Sequence, residues 1–316
     1  MSRYVARRMV ALVVILLITS FVVFGGLHLA PGSPETFLLQ GKTVSPETIA
    51  SIRAQYHLDD PFLVQYVRWL GGIVRGDFGR SLVFRQEVSG LVASRIPTTL
   101  LLTAYAAVLI LSAGLALGAL SALKRGRTDQ GVLVATTVAA ATPSFVAAIV
   151  MISLFSVRLG WFPAFGAGEG FFGQLRHLTM PAIALSLSYL ALVARVTRSA
   201  MVEELGREHV ETARARGISE SAILRRHVFR NALAPIVTIS GLVVAGLVTA
   251  AVVVESAFGL NGLGSLLVQS VNVKDFPVVQ AIALIMVAVF VVTNLIVDLL
   301  YGVIDPRVRL GEERAV

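Results

Sequence analysis

Six stretches of this chain run for 17 to 28 residues without one Asp, Glu, Lys or Arg: 10–30, 96–123, 131–157, 178–194, 231–254 and 276–297. A helix needs about 17–25 apolar residues to cross the hydrocarbon core of a bilayer. Inside that core each backbone N–H and C=O must find a partner within the protein, which leaves helices and closed barrels as the spanning forms. None of the six alternates apolar and polar residues over ten-residue blocks, as barrel strands do. The sequence therefore predicts an all-α integral membrane protein with six transmembrane helices. Composition agrees: 15% of residues are charged, against about 25% in a soluble domain, too few to clothe a soluble core of this size. Arg3, Arg7 and Arg8 precede the first stretch. That stretch is longer than a signal-peptide h-region and no small-x-small cleavage site follows, so it is expected to remain as an anchor.

The net charge of +8 could suggest nucleic acid, but the positions of the basic residues answer for it. Segments 1–9, 121–130, 195–230 and 304–316 hold 17 Lys and Arg, against 3 in the opposite short connections 158–177 and 255–275. The positive-inside rule then puts both termini in the cytoplasm, and anionic lipid accounts for the charge without nucleic acid. The expected organisation is a cytoplasmic N-terminus with the first helix (1–30), an external insertion (31–95), a five-helix core (96–303) and a cytoplasmic tail (304–316).

The insertion carries helix signals of its own. Ser45-Pro46 opens one helix through about Tyr56, and Asp60-Pro61 opens another over 62–74 with an amphipathic face. Residues 76–82 read as a tight turn. A cap over the outer helix ends and a docking surface for an external partner both fit.

The most informative segment is 198–232. Acidic residues lie toward its start and arginines toward its end, as the helix dipole favours. Gly217 is placed to end the first helix in a left-handed conformation. Ser219 is placed to cap a second, from Glu220 to Arg230, with Ile218 stapling onto Ile223. Two short helices joined by a sharp turn at Gly217 are predicted. On physics alone they are either a solvated loop held by charge pairs among Glu204, Glu208, Arg207 and Arg214, or a rigid lever entering a groove on a second protein. Ala213, Ala215 and Gly217 would permit close backbone approach in the second case.

Glu211-Thr212-Ala213-x3-Gly217 resembles the EAA motif of binding-protein-dependent ABC importer permeases. The run from Thr212 to Gly217 with His227-Val228-Phe229-Arg230-Asn231-Ala232-Leu233-Ala234-Pro235 is similar to the dipeptide/oligopeptide/nickel branch, and specifically to its first permease subunit. Leu29-Ala30-Pro31-Gly32-Ser33-Pro34, Gly76-Asp77-Phe78-Gly79-Arg80-Ser81, Pro143-Ser144-Phe145 and Val254-Glu255-Ser256-Ala257-Phe258-Gly259 extend the likeness over nearly the whole chain. Thr212 stands where the general motif has Ala, and Asn261-Gly262 where the branch often has Pro-Gly. The resemblance implies a type I importer permease fold in the cell (inner) membrane, forming half of a translocation pathway. It implies as partners a homologous second permease, two ATPase subunits that carry the ATP and Mg, and an external solute-binding protein. It also implies that Glu203, Glu211, Thr212, Ala213, Arg214, Ala215, Arg216, Gly217 and Ser219 form the ATPase-coupling segment. Dipeptides, longer peptides, nickel chelates and other small solutes share the scaffold.

Polar or helix-breaking residues in or near the stretches are the candidate gate or pathway positions: Pro143, Ser144, Glu255, Phe258, Asn294 and Asp298. Pro143 should kink the third helix. Glu255 near the outer mouth is equally a gate or a helix cap. Asn294, Asp298, Tyr301 and Asp305 share one face of the last helix. With zero cysteines and five scattered histidines the sequence offers no metal box or thiol nucleophile, and no cofactor or catalytic residue is expected in this chain. A stand-alone secondary transporter or channel would need charges at midspan. A membrane enzyme would need converging His, Asp or Glu. Neither pattern is present.

Overall fold

The computed structural model describes residues 2–29, 47, 50, 54, 59–81, 83–124 and 126–304. The helix expected over 46–56, the segment 30–34, Asp305 and the tail lie outside the described residues. Helix α1 covers Ser2–Leu29 and α2 Phe62–Val74, the latter with the bounds the sequence predicts. A two-residue antiparallel ladder follows, β1 (Arg80–Ser81) against β2 (Gln86–Glu87). Then come α3 (Val88–Leu123), α4 (Arg127–Ala141), α5 (Ser144–Met151) and α6 (Gly170–Leu205). After α6 stand α7 (Glu208–Ala215), α8 (Glu220–Ile223), α9 (Arg230–Ala257), α10 (Leu263–Asn272) and α11 (Phe276–Ile304).

Five helices are long and apolar enough to span a bilayer, and the bent pair Arg127–Ala141 and Ser144–Arg158 makes a sixth crossing when counted as one broken span. The break between them is sharper than the expected kink. The two arms meet at 98°, with Thr142 and Pro143 both in extended backbone. A proline ring pushes its predecessor out of the helical region and offers no N–H to the preceding turn. Beyond Met151 the chain widens to i+5 bonding over Ile152–Arg158, as in the 3.0 Å bond from Leu159 N to Leu154 O.

Two of the spans run eleven residues past their uncharged stretches at the basic end, and α3 runs eight past its own at the other end. Stretch 178–194 sits inside the 36-residue α6, and Glu220–Ala257 forms 38 residues of continuous helix through α8 and α9. At 1.5 Å per residue each is over 50 Å long, well beyond a core of about 30 Å. Both therefore overhang at the basic end of the bundle.

Helix α6 lies at the centre, packed along α3, α9, α4 and α5, with α11 against α9 and α1 outside α11. The α3–α6 contact is close because Gly118 faces the other backbone. A Cβ there would stand 2.5 Å from the Ala194 carbonyl and 2.6 Å from Thr197 Cβ. In lipid, where apolar burial gains little, small residues at such crossings let dispersion contacts hold helices together. Buried side chains gather in three clusters: one at mid-bundle, one around Val88, Leu266 and Ile282 at the far end, and one around Met201, Ile223 and Val228 at the basic end.

Candidate functional site

The basic-end overhangs of α6 and of α8–α9 are joined by α7. The single helix expected from residue 198 to 216 is interrupted. α6 stops at Leu205, Gly206 and Arg207 turn the chain, and α7 restarts at Glu208. Its acidic first turn (Glu208, Glu211) and Arg214 in the last turn match the dipole. The far end closes as the sequence predicts. Gly217 adopts φ +75°, Gly217 N donates to Arg214 O at 2.9 Å and Ile218 N to Ala213 O at 3.2 Å. This pair of bonds is the Schellman closure, and it places a left-handed residue at Gly217.

Two details differ from expectation. Ser219 has the extended backbone of an N-cap, but no side-chain cap bond forms. Its carbonyl accepts from Ala222 N and Ile223 N, and its hydroxyl lies 3.5 Å from that of Ser221. The second limb is also not a free-standing helix, because it continues into α9. The geometry is thus a short strut carried between two rigid rods.

Val210 and Ala213 turn inward and are buried, in one cluster with Met201, Ile223, Val228 and Ala232. Of the three small residues, Ala215 and Gly217 remain on the open side. Glu211, Thr212, Arg214, Ala215, Arg216, Gly217, Ile218 and Ser219 all lie exposed there. Ion pairs lock the strut's ends. Arg207 meets Glu203 at 2.8 Å and Glu204 at 2.9 Å, and Arg214 reaches Glu220 across the turn at 2.6 Å.

The sequence reading gives Glu204 only a place among surface charge pairs and does not single out Asp129. Glu204 is buried, and its carboxylate gathers Arg207, His209 at 3.6 Å and the Asn231 amide at 3.3 Å, tying the end of α6 to α7 and the start of α9. Its neighbour Glu203 points outward, and only the helical phase of the apolar residues around them could have separated the two. Asp129, in the first turn of α4, accepts a fork from Arg198 at 2.7 and 2.6 Å and a hydrogen bond from Ser121 Oγ. One carboxylate thereby joins α3, α4 and the overhang of α6. The signal for it was a lone acid in the otherwise basic segment 121–130.

The candidate pathway residues do not converge. Pro143 and Ser144 sit at the bend, Pro143 exposed. Phe258 is buried in the mid-bundle cluster. The Asn294 amide donates to its own helix at Phe290 O, 2.9 Å away. Asp298 lies on α11 with its side chain outside the described residues. Glu255 is wholly buried and acts as a cap: its carboxylate accepts from Thr99 Oγ1 at 2.6 Å, Gly264 N at 2.7 Å and Ser265 N at 3.1 Å. Thr99 Oγ1 also accepts from Leu263 N at 2.8 Å. The pair satisfies the orphan N–H groups that open α10. Among the described residues no group of three His, Cys, Asp or Glu could hold a metal ion.

Residues 114–310 match the family described as binding-protein-dependent transport system inner membrane component, and residues 1–103 match its N-terminal counterpart. A peptide transport system permease protein of Brucella abortus is 39% identical over 313 residues, covering 98% of this chain and 99% of the relative. The oligopeptide transport system permease protein AppB of Bacillus subtilis is 38% identical over 315 residues, with the same coverage. The glutathione transport system permease protein GsiC of Salmonella typhi is 37% identical over 310 residues, again covering 98% and 99%. Among solved structures, the inward-facing MetNI methionine ABC transporter contains a chain matched at TM-score 0.56 and 19% identity, over 68% of this chain and 96% of that one. An amino acid ABC transporter solved with histidines gives 0.54 at 19% identity, over 67% and 94%. At these identities the likeness speaks for the fold.

Proposed function

Because this chain belongs to the binding-protein-dependent transport system inner membrane components, we propose that it is a permease subunit importing dipeptides or oligopeptides, forming half of an ATP-driven pathway. Both termini then face the cytoplasm, in keeping with the 17-to-3 asymmetry of basic residues in the short connections. A homologous second permease completes the pathway, and an external solute-binding protein delivers the substrate. Two ATPase subunits bind ATP and Mg and act on the strut α7. The peptide-like substrate rests on the relatives' names, peptide, oligopeptide and glutathione alike.

One observation carries the coupling role. The side of the strut that faces the bundle is locked by Val210, Ala213 and Glu204, while its other side, from Glu211 to Ser219, is open. A solvated loop would have no reason to be braced at both ends against two transmembrane rods. A lever does: force applied at Arg214–Gly217 reaches α6 and α9 without being absorbed by a flexible joint.

The test is assembly and flux. The chain expressed with its partner genes should co-purify with the ATPases, and A215C should crosslink to them. Proteoliposomes of the whole assembly should accumulate peptide only with ATP and the binding protein. Peptide flux through this chain alone, or an A215C variant that labels freely while the ATPases are bound, would overturn the reading.

A further inference from the structure

Helix α2 divides its surface into three sectors at 3.6 residues per turn. Phe62, Tyr66 and Trp69 face α1, where their rings meet Phe21 and Phe24 at centroid distances of 5.3–5.7 Å. The next flank carries Leu63, Val67 and Val74, exposed by 63, 66 and 81%. The opposite flank carries Gln65 and Arg68, both tied to Asp60, through its carbonyl at 2.8 Å and its carboxylate at 2.8 Å.

The contacts with α1 fix how deep α2 sits. The Tyr66 hydroxyl lies 2.8 Å from Ser20 Oγ and 3.3 Å from Leu17 O. The apolar span of α1 is Ala6–Gly26, so Leu17 lies nine residues inside its end, about 14 Å at helical rise. That is close to half of a core about 30 Å thick. Helix α2 therefore runs beside the apolar part of α1 and not beyond it. The neighbouring surface of α1 is uncharged and open, with Val14, Ile18 and Val22 exposed by 46, 59 and 63%.

We propose that α2 is a half-inserted helix whose Leu63–Val67–Val74 flank is covered by the acyl chains of the outer leaflet, with Gln65 and Arg68 held at headgroup level. A helix satisfies its own backbone groups, the one strict condition for entering lipid without crossing it. An apolar flank opposite a polar one is the pattern of an interfacial helix. The long Arg68 side chain can snorkel toward the headgroups from this depth, and the ion pair with Asp60 keeps it from facing hydrocarbon alone. A lipid-seated helix bolted to α1 would fix the start of the external insertion relative to the membrane plane.

The chain has no cysteine, so each introduced cysteine is its single labelling site once any cysteines of the partner subunits have been replaced. L63C and V67C, with I18C as the α1 comparison and R68C as the polar one, are nitroxide-labelled in the assembled complex in phospholipid nanodiscs. Collision rates with oxygen and with a water-soluble nickel chelate are then measured. L63C and V67C should match I18C, oxygen-rich and nickel-poor, with R68C reversed. Nickel access at V67C equal to that at R68C would show a wet face and overturn the proposal. Low access to both reagents at L63C and V67C would show a protein cover and overturn it equally. Neither result would touch the importer reading, which does not involve α2.

Discussion

Gly217 offers the sharpest perturbation, because its surroundings separate backbone strain from collision. A Cβ built there meets nothing within 4 Å, so a larger residue is opposed only by its own backbone at φ +75°. For an L-residue that conformation costs about 1–2 kcal/mol, less for Asn, whose short side chain tolerates it, and more for a β-branched residue. Since about 1.4 kcal/mol is tenfold in population, G217A should deplete the closed turn roughly tenfold, and G217V by more. Opening it forfeits the Gly217 and Ile218 N–H bonds and re-aims the strut against α8. The assay is ATP-driven peptide uptake in proteoliposomes, with ATP hydrolysis followed in parallel. Uptake per ATP should fall in the order G217N, G217A, G217V while the protein still inserts and assembles. Normal uptake by G217V would refute the lever's dependence on the turn. Equal losses in all three would instead mean that bulk at the partner surface matters, not conformation.

Breaking the Asp129–Arg198 fork should destabilise the chain. A fully buried pair would lose about 3–5 kcal/mol; with side chains 29% and 15% exposed the loss for D129N should be nearer about 1–3 kcal/mol, and D129N/R198Q should lose less than the two singles added, as read by thermal unfolding of the purified complex. E255A strands the Gly264 and Ser265 N–H groups and should cost about 1–3 kcal/mol. G262A drives a Cβ to 2.3 Å from the Glu255 carboxylate, so it should also destabilise, with E255A/G262A milder than the sum; strict additivity would deny the contact. Asp275, outside the spans, accepts a hydrogen bond from Ser81 Oγ, and burial pushes its carboxyl above the ordinary range against the opposing bonds from Ser81 and Val278 N. A carboxyl raised in the folded state contributes fully below its unfolded value, about pH 4, and that contribution fades as pH rises through the raised value. A nitroxide at E87C should accordingly become more mobile as pH rises from 4 toward neutrality, and D275N should flatten that response.

What could be read from the sequence is what short-range rules control. Residues 62–74 and the turn at Gly217 were legible because a proline, an apolar period and a single glycine each act within one or two helical turns. Thr142-Pro143 announced a bend, but its 98° angle depends on α5 turning to lay Ala147 and Ala148 into the core, which no local rule contains. The break at Gly206 was missed for a similar reason. Glu203, Glu204 and Arg207 are good helix formers, and what rewards stopping α6 there includes the bond of Glu204 with Asn231, 27 residues further on. Asp129–Arg198 and Thr99–Glu255 span 69 and 156 positions. Such pairs follow from how helices stack, and periodicity along one helix is silent about them.

Where the strut's energy could go is decided by what it is fastened to. A glycine stands at or beside each of its ends, Gly206 and Gly217, and the ion pairs Arg207–Glu203, Arg207–Glu204 and Arg214–Glu220 bridge both. Exposed pairs of this kind contribute little individually. Buried Glu204 and the packed Val210 and Ala213 hold the arrangement between them. Displacement of α7 is therefore passed to the overhangs of α6 and α8–α9 more readily than it is lost in bending. From α6 it meets Arg198, and through Asp129 it meets the first turn of α4, whose far end is the break at Pro143. On the proposed coupling role, a push at the exposed turn would arrive at the α4–α5 pair, the bent one among the described residues, where the bundle can reshape at the least cost in helical hydrogen bonds.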